Sequence, residues 1–224
     1  RHNDIDRALK DPETFVEGYG NGPNFIKSNG IISDGDHHTL IRRIVQPNFL
    51  LGSIRNLETR LEEITDDLLD KVTIKDVWDI HDDLSFPLPV IIICEILGIP
   101  TNDIKKFKGW ADAAVAQMCS EEPESFQKEL DKMDDYFLDL IHKKRSLDED
   151  ETLISRIANA KINNNYLSDD EAINLAVQIF VAGNETTTSL ISNLVWRMLS
   201  IENLWEDFVK DKLEIDGLIS ESLR

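Results

Sequence analysis

The stretch Ala182-Gly183-Asn184-Glu185-Thr186-Thr187-Thr188 lies in the middle of a long helical pattern and fits that pattern badly. The pattern begins at Ser168, which forms a capping box with Glu171 three residues later, and it runs without proline to about Met198. Glycine costs about 1 kcal/mol relative to alanine inside a helix, and consecutive threonines add to that cost. Because functional sites often break local rules of helix formation, we expect this stretch to carry a function.

The residue types in this stretch suggest chemistry beside a metal centre. Small side chains at Ala182 and Gly183 would let a flat cofactor and a diatomic ligand approach the helix backbone. The Thr186 hydroxyl can donate to the Ala182 carbonyl four residues earlier, and Glu185 and Thr186 would then form a short proton relay. The alternative is a helix–helix crossing, with small residues for close approach and threonines that face polar neighbours. Spacing alone leaves both interpretations open.

A second segment closes a loop rich in glycine, proline, asparagine and serine, between residues 11 and 36, and opens a helix. Asp34 or Asp36 can serve as its N-cap. His38 and Arg42 are four residues apart and therefore share one helix face. Cations early in a helix oppose its dipole, so a ligand with two carboxylates would explain both residues. The alternative is a solvated basic face.

Helical periodicity dominates the rest of the chain. Apolar residues recur at three- and four-residue steps in two further series: Leu57, Leu61, Ile64 and Leu68, and Phe126, Leu130, Met133, Phe137 and Ile141. The run Lys161 to Asn165 is typical of a turn before the long helix. The predicted fold is therefore mainly α with a minor β region, built around one long central helix.

Composition excludes several classes of protein. The formal net charge of −19 argues against nucleic acid binding, because nucleic acid phosphates would be repelled. This charge favours solubility, or else matches a basic partner. Cys94 and Cys119 form neither a disulfide framework nor a zinc motif, and two free thiols fit a reducing cytoplasm. No apolar run approaches the ~20 residues of a membrane-spanning helix.

Three segments, in order, resemble motifs of the cytochrome P450 superfamily, the haem-thiolate mono-oxygenases, in its soluble prokaryotic form. Ala182 to Thr187 resembles the oxygen-activation motif of the family's long helix. Asp34 to Arg43 resembles the stretch whose His and Arg bind the haem propionates, with Gly35 and Asp36 in place of the usual prolines. Glu221-Ser222-Leu223-Arg224 resembles the Glu-x-x-Arg motif, whose ion pair organises the segment before the haem-binding loop.

The resemblance implies a cytochrome P450 fold, haem b as cofactor and a role for each matching residue. Glu185 and Thr186 would deliver protons during dioxygen activation, and Ile179 and Val181 would line the substrate pocket. The remaining implied residues are the haem contacts His38, Arg42, Ile31, Ile32, Ala182, Gly183 and Thr187, and the structural ion pair Glu221 and Arg224. The implied reaction inserts one oxygen atom from dioxygen into a hydrophobic organic substrate, with electrons from a ferredoxin-type donor.

The family's iron-binding cysteine follows the Glu-x-x-Arg helix in a loop that has no counterpart here. Neither Cys94 nor Cys119 has that context, so we expect no metal ligand within residues 1–224. An N-terminal sheet region also has no counterpart, and we interpret the chain as a partial domain. Two other functions remain open: a non-catalytic, all-helical ligand-binding or interaction protein, and a peroxide-using relative of the same fold, which typically lacks the acid–alcohol pair.

Overall fold

The structure, a computed structural model, describes residues 1–16, 33–102 and 104–224. Its described elements are helices, with one two-stranded hairpin. The helices are α1 (His2–Lys10), α2 (Gly35–Val45), α3 (Leu51–Arg55), α4 (Glu58–Thr73), α5 (Pro87–Leu97), α6 (Ile104–Cys119), α7 (Gln127–Arg145), α8 (Leu153–Asn159), α9 (Asp169–Ser200), α10 (Leu204–Val209) and α11 (Ile215–Ser222). Two 3₁₀ turns (Gln46–Phe49 and Pro123–Phe126), a π-helical turn (His81–Ser85) and strands β1 (Lys161–Ile162) and β2 (Asn165–Tyr166) complete the description. The predicted fold class is confirmed.

Helix α9 is the long helix that the sequence predicts. The expected capping box is present: the Ser168 hydroxyl accepts the Glu171 N–H at 3.2 Å, and the Glu171 carboxylate accepts the Ser168 N–H at 2.9 Å. With 32 residues, α9 extends for about 48 Å at ~1.5 Å per residue. It packs against α5, α6, α7 and α8, so it forms the centre of the described structure.

An aromatic cluster joins α6, α7 and α9 in the core. Phe107 and Phe137 each lie within 6 Å of Phe180, at centroid distances of 5.8 and 5.9 Å. Trp110 lies 5.3 Å from Tyr136. Tilted and edge-on pairs of this kind are favourable beyond the apolar area that they bury. The cluster therefore holds the first half of α9 against the helices that precede it.

The minor β region is a hairpin between α8 and α9. Lys161 pairs with Tyr166 and Ile162 with Asn165. The two residues between the strands, Asn163 and Asn164, have φ angles of +52° and +66°. Consecutive positive φ angles make the turn that suits the twist of paired strands, and asparagine tolerates them better than most residues. The turn expected from Lys161 to Asn165 is thus a two-residue hairpin turn.

Helix α2 begins with an unusual backbone conformation. Gly35, its first residue, has a φ of +63°, which proline cannot adopt. Asp34 occupies the N-cap position, although its side chain makes no capping hydrogen bond, and Asp36 lies inside the helix. Glycine therefore sets the direction in which the chain enters α2, where the resembling family has proline.

Among the described residues, no helix has both the length and the apolar composition that a membrane crossing requires. The apolar segment of α5 is 11 residues long. It ends at Gly98, which is left-handed with a φ of +77°.

We expect Gly98→Ala to lower the free energy of unfolding by about 3 kcal/mol, because it combines left-handed strain with overpacking. A Cβ atom at Gly98 would lie only 2.2 Å from Thr152 Cγ2. Chemical denaturation would measure the change.

Two other glycines separate the two causes. Gly35→Ala adds strain without contact, since nothing lies within 4 Å of its Cβ position. It should cost about 1–2 kcal/mol. Gly109→Ala, in open space inside α6, should stabilise by up to about 1 kcal/mol. Equal losses for Gly98→Ala and Gly35→Ala would contradict the steric role of Thr152.

Candidate cofactor cleft and active site

An open cleft of about 490 Å³ lies between α9 and the segment from α2 to the start of α3. Its described lining consists of Arg42, Val45, Gln46, Phe49, Leu50, Ile93, Gln178, Ile179, Ala182 and Gly183. Of these residues only Arg42 carries a charge, and most of the others are apolar. The two segments that the sequence singled out, far apart along the chain, thus contribute to one cleft.

The α9 wall of the cleft comes from residues at four-residue spacing. Gln178 and Ala182 form one row and Ile179 and Gly183 form the next, which places all four on one helix face. Thr186 lies one turn beyond Ala182 and is exposed. Its hydroxyl donates to the Ala182 carbonyl at 2.8 Å, as the spacing predicted. The Thr186 hydroxyl oxygen therefore lies on the exposed face of α9, one turn beyond the residues that line the cleft.

Gly183 has a packing reason of its own. A Cβ atom at this position would lie 2.8 Å from Ile93 Cδ1, so glycine lets α5 approach α9 closely. This is the helix–helix crossing that the sequence left open as an alternative. Ala182, by contrast, is exposed and lines the cleft. Gly183 thus allows close contact with α5, whereas Ala182 borders the cleft.

The remaining residues of the α9 stretch point in several directions. Glu185 is half-buried and Thr187 is exposed, and neither is among the described residues that line the cleft. Val181 packs against the hydrophobic core instead of lining the cleft. Asn184 is fully buried, and its side-chain oxygen accepts a hydrogen bond from Thr188 at 3.3 Å.

On the α2 side, neighbouring arginines face different clefts. Arg42 lines the cleft beside α9, whereas Arg43 lines a separate, polar cleft with Arg156 and Lys161. His38, one turn before Arg42, is half-buried and is not among the described lining residues. Ile31 and Ile32, expected to contact the cofactor, lie outside the described residues.

Neither cysteine contributes to the cleft. Cys94 is fully buried in α5, and desolvation, assisted by the charge of Glu95, raises the pKa of its thiol to about 12. It therefore remains a neutral thiol rather than a metal-binding thiolate. Cys119 is exposed at the end of α6 and does not line the cleft.

Another group of potential metal ligands, Asp79, His81 and Asp82, has its ligand atoms within 4.8 Å of one another. Asp79 already accepts the backbone N–H groups of His81 and Asp82, at 2.8 and 3.1 Å. These bonds give Asp79 a structural role at the start of the π-helical turn.

The predicted ion pair near the C-terminus of the chain is formed at the surface. Glu221 lies 3.4 Å from Arg224, whose side chain is 80% exposed. Glu221 also lies 4.0 Å from Arg197 of α9. The second contact, which the sequence did not predict, connects α11 to the long helix. Pairs this exposed contribute little stability by themselves.

The cleft suits one face and one acidic edge of a flat cofactor. Ile179, Ala182 and Leu50 offer apolar contact to a ring system, and the Arg42 guanidinium suits a carboxylate. The described lining contains no thiolate or imidazole, so an iron ligand does not come from this part of the cleft. The residues present therefore fit the distal side and a propionate of haem.

Sequence reasoning missed more than half of the described cleft lining. Val45 and Phe49 lie three and seven residues after Arg42, and Gln178 lies four before Ala182, so helical spacing could have identified them. Ile93 gave no such signal, because its place in the cleft depends on the crossing of α5 with α9.

Comparison with known proteins finds the same family over the whole chain, although no family model matches it. The putative cytochrome P450 YjiB of Bacillus subtilis is 33% identical over 100% of this chain and 58% of its own length. The erythromycin C-12 hydroxylase of Saccharopolyspora erythraea is 30% identical over the same shares.

A solved structure, a mutant of P450 EryK in complex with erythromycin B, superposes with a TM-score of 0.81 at 29% identity. The match covers 100% of this chain and 58% of that one. The chain thus spans little more than half the length of the relatives that it matches. With relatives aligned along its entire length and the same fold around the long helix, the chain belongs to the cytochrome P450 superfamily.

Proposed function

We propose that the whole protein is a haem-dependent mono-oxygenase, which activates dioxygen and inserts one oxygen atom into a hydrophobic organic substrate. The observation that carries the proposal is the shared cleft. Arg42 from α2 and Ile179, Ala182 and Gly183 from α9 line one space, although two separate motifs supply them. A flat cofactor with carboxylates requires a basic group to bind a carboxylate and an apolar surface to contact its ring.

The proposed cofactor is haem b. A thiolate-ligated haem supplies the reductive activation of dioxygen, because the thiolate donates electron density that favours O–O cleavage. Within this chain, Arg42 would bind a propionate and Ala182 would pack against the ring. Further proposed contacts are His38, Ile31, Ile32, Gly183 and Thr187.

Glu185 and Thr186 would control protons beside the cofactor. The Thr186 hydroxyl hydrogen is directed to the Ala182 carbonyl at 2.8 Å, so its oxygen can accept a further hydrogen bond. Glu185, half-buried on the adjacent helix position, can exchange a proton with solvent and pass it towards that hydroxyl. Together the two residues would hold a proton donor beside the exposed face of α9.

Ile179 is the proposed substrate contact, and the apolar lining of the cleft favours a hydrophobic substrate. Val181, which the sequence paired with it, packs against the core instead. One relative is named an erythromycin hydroxylase, and the solved structure of the P450 EryK mutant holds erythromycin B, which supports a bulky organic molecule as the class of substrate. The proposed electron donor is a ferredoxin-type protein. A cytoplasmic location is proposed because both cysteines are free thiols.

Haem binding tests the proposal directly. The full-length protein, expressed with haem supply, should show the red-shifted Soret band of a thiolate-ligated haem after reduction and treatment with carbon monoxide. If the protein were purified without haem under these conditions, the proposed enzymatic function would be contradicted. A non-catalytic helical binding protein would then be favoured.

Adjacent arginines provide a matched pair for testing the orientation of the cofactor. Arg42→Ala should weaken haem retention by about 1.5–3 kcal/mol, the contribution of a charge-assisted hydrogen bond. Arg43→Ala, which faces the separate cleft, should have a much smaller effect. Haem transfer to apomyoglobin would measure both. Equal losses would show that the cofactor does not face Arg42.

Thr186→Ala tests the proton path without disturbing the helix, since alanine has the higher helix propensity. Haem content and electron uptake should remain, whereas product per electron consumed should fall by about a hundredfold, the lower end of the range of general acid–base effects. Hydrogen peroxide should accumulate instead of hydroxylated product.

The control is Thr188→Ala, the same change on the buried side of α9. It removes a hydrogen bond to Asn184 and so affects stability, but it should leave product per electron unchanged. Unchanged coupling in Thr186→Ala would mean that Thr186 only packs or caps the helix here.

A further inference from the structure

The last turn of α7 carries two cations that are more enclosed than the other cations of the described ion pairs. The Lys144 side chain is 17% exposed and the Arg145 side chain is 24% exposed, whereas the others are 35% exposed or more. Exposed ion pairs contribute little stability, but an enclosed cation needs well-placed acceptors because it has lost part of its hydration. The acceptors of these two cations therefore show what this end of α7 holds in place.

Arg145 donates to three segments that follow α7. Its Nε donates to the Ala158 carbonyl near the end of α8 at 2.9 Å, and its Nη2 donates to the Leu167 carbonyl just after β2 at 2.8 Å. Its Nη1 donates to the carboxylate of Asp169, the first residue of α9. A planar guanidinium presents its donors in a fixed fork, so the three segments are held in one arrangement. We call Arg145 and its three acceptors the α7 clamp.

Two acceptors of the α7 clamp are main-chain carbonyls of buried residues. Ala158 lies in the last turn of α8, whose final four carbonyls have no partner inside the helix. Leu167 is 3% exposed, and its N–H donates to the Ala160 carbonyl at 3.1 Å, which closes the hairpin. Because a buried carbonyl without a donor is unfavourable, both positions require the donors that Arg145 supplies.

The neighbouring cation holds the other end of α8. Lys144 donates to the carboxylate of Asp150, two residues before the N-cap of α8. That N-cap is Thr152, and its N–H donates to Asp150 at 3.0 Å. The bond from Lys144, followed by that from Thr152, lowers the pKa of the Asp150 carboxyl to about 2, so Asp150 stays ionised. Adjacent residues of α7 therefore hold α8 at both of its ends.

Helix α8 connects the α7 clamp to the wall of the cofactor cleft. It packs against α7, α9, α2 and α5. Because α2 and α9 lie on opposite sides of the open cleft, the main packing partner of α2 among the described elements, apart from the 3₁₀ turn that follows it, is α8. Ile41 of α2 belongs to the same buried cluster as Ile154 and Ile157 of α8. The position of α2, which carries Arg42, thus depends on the position of α8.

We propose that Arg145 is a positioning residue for α2, because the α7 clamp keeps α8 in the place where α2 packs against it. Arg145 is not among the described residues that line the cofactor cleft, so it acts on α2 through α8. Its two carbonyl contacts require the fork of the guanidinium, and a positive charge alone does not replace them. The inference rests on the packing of α8 and does not depend on the proposed function.

Hydrogen exchange of backbone amides in the full-length protein tests this role, with Arg145→Lys compared with the wild-type protein. Lysine keeps the charge and can still pair with Asp169, but it lacks the fork that reaches both carbonyls. Amides of α2, of α8 and of Leu167 should exchange about tenfold faster or more, which corresponds to the loss of one charge-assisted hydrogen bond. Amides of α6, which packs mainly against α5, α7 and α9, should keep their rates.

Two results of this comparison would overturn the proposal. Unchanged exchange in α2 would show that α2 does not depend on Arg145. An equal increase in α2, α8 and α6 would show a general loss of stability instead of a local one.

Asp169→Asn is the matched control within the α7 clamp. It removes the carboxylate charge that pairs with Arg145 and with His142, and it leaves both carbonyl contacts in place. Because the Asp169 side chain is 44% exposed, this change should alter exchange in α2 much less than Arg145→Lys does. Equal effects of the two changes would show that the ion pair holds α8, and the proposed role of the guanidinium fork would be wrong.

The wild-type protein gives a readout that does not depend on any variant folding. If the α7 clamp links α8, the hairpin and α2, their most protected amides should share one opening reaction as small amounts of denaturant are added. Separate opening reactions for α2 and α8 would overturn the proposal.

Discussion

The close crossing of α5 and α9 at Gly183 and Ile93 determines much of the rest of the structure. At this contact glycine is required, since a Cβ atom would lie 2.8 Å from the isoleucine side chain. The crossing fixes which face of α9 turns towards α2, and so creates the cleft on one side. The π-helical turn, which leads into α5, also packs against α9.

Much of the helical framework could be predicted from local patterns. The capping box at Ser168 and Glu171 marked the start of α9, and apolar spacing marked α4 and α7, because both signals depend on neighbouring residues alone. The conformation of Gly35 could not be predicted, since glycine is compatible with either sign of φ. The hairpin between α8 and α9 was predicted only as a turn, because two-residue strands leave no alternating pattern.

The candidate site could be predicted only where its contacts are between residues close together in the sequence. The Thr186 bond to Ala182 is local, and its four-residue spacing was sufficient. Which small residue lines the cleft and which one packs against Ile93 depends on how two helices cross, and no pattern within α9 contains that information. Val181 illustrates the same limit. It is next to Ala182 in sequence, yet it packs against the core, because successive residues are turned by about 100° around the helix axis.

The contrast between the two cysteines has a practical consequence. The chain contains only these two, of which Cys94 is enclosed in α5 and Cys119 is exposed at the end of α6. Within residues 1–224, a thiol-reactive fluorophore or spin label therefore attaches at Cys119 and leaves Cys94 unmodified. A probe on Cys119 would report how α6 moves relative to a second label introduced on α9. This pair of helices is therefore accessible to distance measurements in solution.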